Sequence, residues 1–254
     1  MSSIDTFLSA STAGPPPRTG VPRSGRTGGP CAGTGDPGLD ELLEGGFPRG
    51  HLSEIVGPRG LGCASVMTTA LTAATARGEL VALIDPSDQF VPRTAAGLGL
   101  DLSRLLWVRG RAMARSHDAT EVIHQALDAW EMVIDSGNFG MAVLDCGALS
   151  ARQLRQVPAT VWMRASRRLE AGTTCGLLLG PEPRARSAEG QVLVLNGVTG
   201  TESGASGRPD EPSRTSPGRA DGWEARVVHN YRLSDAFVVC RGRRADASRG
   251  ESRF

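Results

Sequence analysis

The stretch His51-Leu52-Ser53-Glu54-Ile55-Val56-Gly57-Pro58-Arg59-Gly60-Leu61-Gly62-Cys63-Ala64-Ser65 decides how the rest of the chain is read. His51–Val56 is a short strand-like run that stops at Gly57, and Cys63–Arg77 has helical composition and ends at Gly78. A strand, a glycine-rich turn and a helix in that order make a phosphate-loop arrangement, whose pattern is G-x-x-x-x-G-K-[ST]. Gly57 and Gly62 stand at its two glycine positions, with Gly60 between them. Cys63 stands at the lysine position and Ala64 at the Ser/Thr position. Backbone N–H groups of such a loop can still face an anion at the helix N-terminus. The ammonium for the β/γ-phosphates and the hydroxyl for Mg²⁺ are absent. Arg59 is either a substitute cation or an ordinary surface arginine.

Outward from this loop the chain alternates strand and helix. Leu80–Asp85 and Phe139–Leu144 read as buried strands, each reaching an acid, Asp85 and Asp145. Leu105–Val108, Cys175–Leu179, Ala225–Val228 and Ala236–Val239 are further strands, and Pro92–Leu98 is a short helix. Thr120–Asp135 is an amphipathic helix with Val122, Ile123, Ala126, Leu127, Trp130, Val133 and Ile134 on one face. Ser150 caps a helix running to about Glu170, which Pro158 kinks or breaks. Repeated β–α–β units with apolar, non-alternating strands predict an α/β fold, a mostly parallel central sheet with helices on both faces. Ligands in such folds bind at the carboxyl ends of the strands.

Residues 1 to about 34 are rich in Ser, Thr, Pro and Gly and are expected to form a disordered arm. A similar stretch from about Gly197 to Gly222 reads as a flexible insertion. The core then runs from 35 to 240, and 241–254 form a basic tail with Arg241, Arg243, Arg244, Arg249 and Arg253.

The 254 residues are 39% apolar and 22% charged, in keeping with one soluble α/β core. A net charge of +1 gives no global attraction to nucleic acid, and lysine is absent. No apolar run is long enough to span a membrane and the N-terminus lacks a secretory core, so a cytoplasmic location is expected. The five cysteines form no C-x-x-C pair and the four histidines no ligand spacing, so neither a metal nor a disulfide framework is expected.

Thr34–Pro58, TGDPGLDELLEGGFPRGHLSEIVGP, resembles the opening of the RecA recombinase core. The likeness continues through Leu80–Pro92 and Leu98–Val108, and Met141–Asp145 looks like a Walker B strand. The resemblance implies a RecA-like αβα core over roughly Gly33 to Val239. In that family a glutamate after the second strand activates water and an Asn-Gln pair ends the sensor strand. Ser87, with Asp88 beside it, and Gly180-Pro181 stand at those places here. Asp145 alone matches, as a Mg²⁺-side acid or a structural carboxylate. Hydrolysis is therefore expected to be lost, with no catalytic residue and no productively bound cofactor. Gly57, Arg59, Gly60, Gly62 and Asp145 are the vestigial nucleotide positions.

The DNA-binding loops of the family are not matched either. Cys146–Leu149 passes almost directly into a helix, and Pro181–Gly222 has balanced charge and no aromatic. The basic tail is the remaining candidate for a DNA contact. Phe7-Leu8-Ser9-Ala10 resembles a Phe-x-x-Ala plug by which some RecA-type proteins dock. The branch most resembled is ImuA, which implies an accessory role in DNA-damage tolerance with RecA or an ImuB-like polymerase scaffold as partner. The other readings are a weak RecA-like ATPase using Arg59 and Asp88, a SulA-like division inhibitor, and a vestigial RecA-like protein with another partner.

Overall fold

A computed structural model describes residues 30–110, 119–185, 187, 189–198, 222–229 and 232–241. Most of the arm, most of the insertion, the Phe7–Ala10 motif and the tail beyond Arg241 lie outside them. The strands are β1 (Cys31–Ala32), β2 (Phe47–Pro48), β3 (Leu52–Val56), β4 (Val81–Asp85), β5 (Leu105–Arg109), β6 (Met141–Asp145), β7 (Cys175–Gly180), β8 (Val192–Val198), β9 (Gly222–His229) and β10 (Arg232–Arg241). The helices are α1 (Pro37–Leu42), α2 (Cys63–Ala76), α3 (Pro92–Gly97), α4 (Ala119–Ser136), α5 (Ala151–Gln156) and α6 (Ala159–Glu170).

Eight strands form one sheet in the order β10-β9-β8-β3-β7-β6-β4-β5. β8, β3, β7, β6, β4 and β5 run parallel, and the β9–β10 hairpin extends the sheet antiparallel from β8. The predicted mostly parallel, doubly covered sheet is what forms. The strand composition follows from that burial. Val81, Leu83, Met141, Val143 and Leu177 pack on the α1–α2 side, while Ala82, Ile84, Ala142, Leu144 and Leu178 pack under α4 and α6. With both faces covered there is no polar side to alternate with.

Pro158 breaks the predicted long helix into α5 and α6. Its N-terminus is held by a capping box in which Ser150 and Gln153 bond each other's backbone. Three segments depart from the reading above. Cys31–Thr34, assigned to the arm, belong to the core: β1 pairs with β2, and Ala32 and Thr34 have no exposed surface. Gly33-Thr34 is held by Asp40, which accepts from the Thr34 N–H and hydroxyl. Pro37–Leu42, for which no element was expected, forms a short helix, because the Asp36 carboxylate caps the N–H groups of Gly38 and Leu39. Finally, Val192–Val198, where no strand was expected, is an internal strand between β3 and β9, and it includes Gly197 and Val198 from the expected insertion.

Glu54 shows how this sheet fixes the loop after β7. It lies within β3 with 1% of its surface exposed and accepts the N–H groups of Arg184 (2.6 Å) and Ala185 (3.0 Å). Leaving two such donors unpaired costs about 1–3 kcal/mol each. Glu54→Ala is therefore expected to lower unfolding free energy by about 2–6 kcal/mol in a urea titration, and Glu54→Gln by less, because its amide oxygen still accepts. An unchanged midpoint for the alanine variant would mean that the loop is held some other way.

Candidate functional site

The loop Gly57–Gly62 lies at the carboxyl end of β3, in the middle of the sheet, with β7 on one side and β8 on the other. The Gly57 N–H donates to the Gly180 carbonyl at 3.2 Å, so the phosphate loop touches the position that the sensor pair would occupy. A side chain at residue 57 would come within 2.7 Å of the Leu195 carbonyl and 3.2 Å of the Cys63 sulfur. Glycine is required there by close approach. Gly60 (φ 82°) and Gly62 (φ 96°) instead adopt left-handed backbone. Gly62 precedes the first turn of α2, and no side chain caps that helix. Its first N–H groups are left for the loop, solvent or a ligand.

The side chains around this backbone are of a different kind from those the pattern calls for. Cys63 is half-buried, and burial, followed by the charge of Asp145, pushes its thiol up to about 11. It is a neutral group where an ammonium would stand. Ala64 is exposed and offers no hydroxyl. Arg59 donates to Gln89 Oε1 at 3.1 Å and so bridges the phosphate loop to the loop after β4. Its charge also reaches Asp145.

Asp145 ends β6, is 8% exposed and accepts the Gly147 N–H at 2.9 Å. Burial raises its carboxyl to about 6; the Gly147 bond opposes the rise, Asp85 adds to it and Arg59 opposes it. Asp85, fully buried at the end of β4, has a structural task. It accepts the N–H groups of Gln89 (3.0 Å) and Phe90 (2.9 Å) and lies 3.4 Å from Trp107 Nε1. The structure thus gathers Gly57, Arg59, Gly60, Gly62, Cys63 and Asp145 at one end of the sheet. It does not bring Asp88 there as a free base. Asp88 has a left-handed φ of 52° and is paired with Arg109 at 3.0 Å, and Arg109 stacks over Trp107. Ser87 and Gly180-Pro181 supply no carboxylate or amide. These side chains do not match the needs of a Mg²⁺-nucleotide, for which cationic and hydroxyl groups face the phosphates.

The part that Leu195 plays in shaping Gly57 was not visible beforehand, because β8 was not recognised as a strand. The apolar run Val192–Leu195 was its one available signal.

Asp145 has a measurable consequence. Its folded value of about 6 lies above the ordinary 3.8, so between those values the folded state holds the proton more tightly than the unfolded state. Its contribution to stability is full below about pH 4 and is lost as pH rises through about 6, amounting to about 3 kcal/mol. Asp145→Asn keeps an acceptor for Gly147 and removes the buried charge. It is expected to be more stable than the parent by about 2–3 kcal/mol at pH 8 and equal at pH 4 in paired urea titrations. Equal stability at both pH values would mean that Asp145 carries its charge at little cost.

The RecA N-terminal domain family matches residues 30–154, the segment that holds β1 through β6, the phosphate loop and the first turn of α5. Over that segment the chain is similar to RecA. Among similar proteins, protein RecA of Acholeplasma laidlawii is 36% identical over 101 residues, covering 40% of this chain and 28% of that protein. Protein RecA of Chlorobaculum parvum is 34% identical over 113 residues, 44% of this chain and 30% of its own length. Protein RecA of an Arthrobacter species is 36% identical over 113 residues, 44% of this chain and 29% of its own. The alignments thus span under a third of these relatives. The matched segment holds the glycine-rich loop and the acid at the end of β6, with a thiol at residue 63 and a methyl at residue 64 between them. No helix among its described residues is long and apolar enough to cross a membrane.

Proposed function

We propose that this RecA-like protein is a non-hydrolysing accessory factor in the DNA-damage response, of the ImuA kind. It works by binding RecA, an ImuB-like polymerase scaffold, or both, during translesion mutagenesis. One observation carries the reading: a phosphate loop with intact backbone geometry holds a neutral thiol at residue 63 and a methyl at residue 64. Phosphoryl transfer rests almost entirely on positioning and charge stabilisation, and the groups for both are missing together. The rigid αβα core then supplies a surface, and ATP binding, where it occurs, is unproductive. The arginine-rich tail is the candidate for a weak DNA contact. A cytoplasmic location belongs to this reading, since RecA and the polymerase scaffold would be met there.

The experiment is a titration of the full chain against RecA from the same cell, with and without single-stranded DNA and ATP, read by anisotropy and by RecA ATPase rate. Saturable binding with an altered RecA rate is the expected result. Absence of binding in every condition removes RecA and leaves the polymerase scaffold. Intrinsic ATP turnover that disappears in Asp145→Ala would favour the RecA-like ATPase reading, for which Arg59 beside Asp145 is the supporting feature.

A further inference from the structure

Away from the phosphate loop, a groove of about 700 Å³ lies between the C-terminal end of α4 and the outer side of α6. Ile134 and Asp135 form one wall, and Thr160, Met163, Arg164 and Arg167 the other. It continues to Ala171 and Gly172, just before β7, and so opens toward the amino ends of the strands, opposite the phosphate loop. The α6 residues that line it recur every three or four positions from Thr160 to Ala171, one unbroken stripe about 16 Å long. That is the length of about three helical turns.

The stripe is both apolar and cationic. Met163 is 52% exposed at its middle. Thioether side chains on a surface suit an apolar partner, because they adapt to its shape. Three guanidiniums line the groove against the single carboxylate of Asp135. Arg164 is paired with Glu131 at 2.7 Å, and Arg168 is shared between Glu131 and Asp135. Arg167, one turn beyond Met163, pairs with no group among the described residues.

We propose that this groove docks an amphipathic helix of a partner protein, with its apolar stripe on Met163 and a carboxylate on Arg167. The inference goes beyond the accessory reading and does not depend on the phosphate loop. A helix laid in a groove uses anchors at this spacing. A nucleic-acid backbone would engage the arginines but has no use for the half-exposed methionine. A second copy presenting the same face would set arginines against arginines, since a two-fold contact repeats each patch on both sides.

The probe is a fluorescein-labelled synthetic helix of about four turns, with leucine at the i, i+3, i+4 and i+7 positions and glutamate elsewhere, titrated into the full chain by anisotropy. The same peptide with lysine replacing glutamate is the control. The acidic peptide is expected to bind saturably and about tenfold or more tighter than the lysine peptide. Met163→Glu and Arg167→Glu should each weaken it by about tenfold, whereas Leu98→Glu, on the exposed patch beside α3, should change it less than about twofold. Residues 163 and 167 are exposed, so unchanged circular dichroism and urea midpoints establish that both variants fold. Equal affinity for the two peptides, or indifference to both groove substitutions, overturns the proposal. So does displacement of the peptide by a micromolar oligothymidylate, which would make the arginines a phosphate site. A dimer of the chain that Met163→Glu splits in sedimentation would seat a second copy there and overturn it as well.

Discussion

Cys63→Lys combined with Ala64→Thr is expected to raise affinity for Mg²⁺-ATP by about 10²- to 10⁴-fold, without creating turnover. The loop around these residues already has the required backbone. Gly57 is packed against Leu195, Gly60 and Gly62 are left-handed, and α2 begins uncapped. What is missing is charge and one hydroxyl. Hydrogen bonds to charged groups are worth about 1.5–3 kcal/mol each, and each 1.4 kcal/mol is about tenfold in affinity, so two restored contacts give the stated range. Position 63 favours a cation, since the field of Asp145 that helps to raise the Cys63 thiol would stabilise an ammonium. Turnover needs a further group, because Ser87 stands where a water-activating carboxylate is required. Calorimetry and a coupled ATPase assay separate the two effects. The double variant should bind and remain inactive, and adding Ser87→Glu should give the first measurable rate. A double variant that still fails to bind would mean that the loop itself, and not its side chains, has diverged.

Trp130→Ala is expected to cost about 4–5 kcal/mol, a loss comparable with the whole stability of many domains. Trp130 has no exposed surface and is the largest side chain between α4 and the sheet. Its indole Nε1 donates to the Ala142 carbonyl at 3.1 Å, which ties α4 to β6 two residues before Leu144 and three before Asp145. Truncation leaves a cavity in the layer formed by Leu127, Ile134, Ala142, Leu144 and Trp162. Urea unfolding followed by circular dichroism measures the loss. Trp130→Phe should lose about half as much, because a ring remains to fill the space. A loss below about 2 kcal/mol for the alanine variant would mean that the layer collapses around the void.

Trp130 also shows what kind of structure was legible from residue order. The 3.6-residue recurrence of Ile123, Leu127, Trp130 and Ile134 places those side chains on one face of α4, whatever the rest of the chain does. The apolar runs of β4, β6 and β7 were equally plain, as was the interruption at Pro158. The elements that were missed have a different origin. β1 and β2 are two-residue strands held by each other, too short to carry a period. β8 merges into a glycine-rich stretch, and its identity comes from lying beside β3. α1 has six residues, and only its Asp36 cap with Pro37 marked it locally.

The same division runs through the candidate site. Residue order by itself determined which groups stand at the phosphate loop: two spaced glycines, a thiol for the ammonium, a methyl for the hydroxyl and an acid at the end of β6. These are covalent facts, and periodicity fixed the strand and helix that flank them. Tertiary structure alone decided how the two strand-end acids differ. Asp85 is occupied by the N–H groups of Gln89 and Phe90, while Asp145 is buried beside Cys63 and Arg59 with a raised carboxyl. It also decided that Asp88 is held by Arg109 and that Gly57 must lack a side chain because Leu195, far along the chain, passes close by. Burial, desolvation and close approach depend on neighbours distant in sequence, and no local pattern of residues contains them.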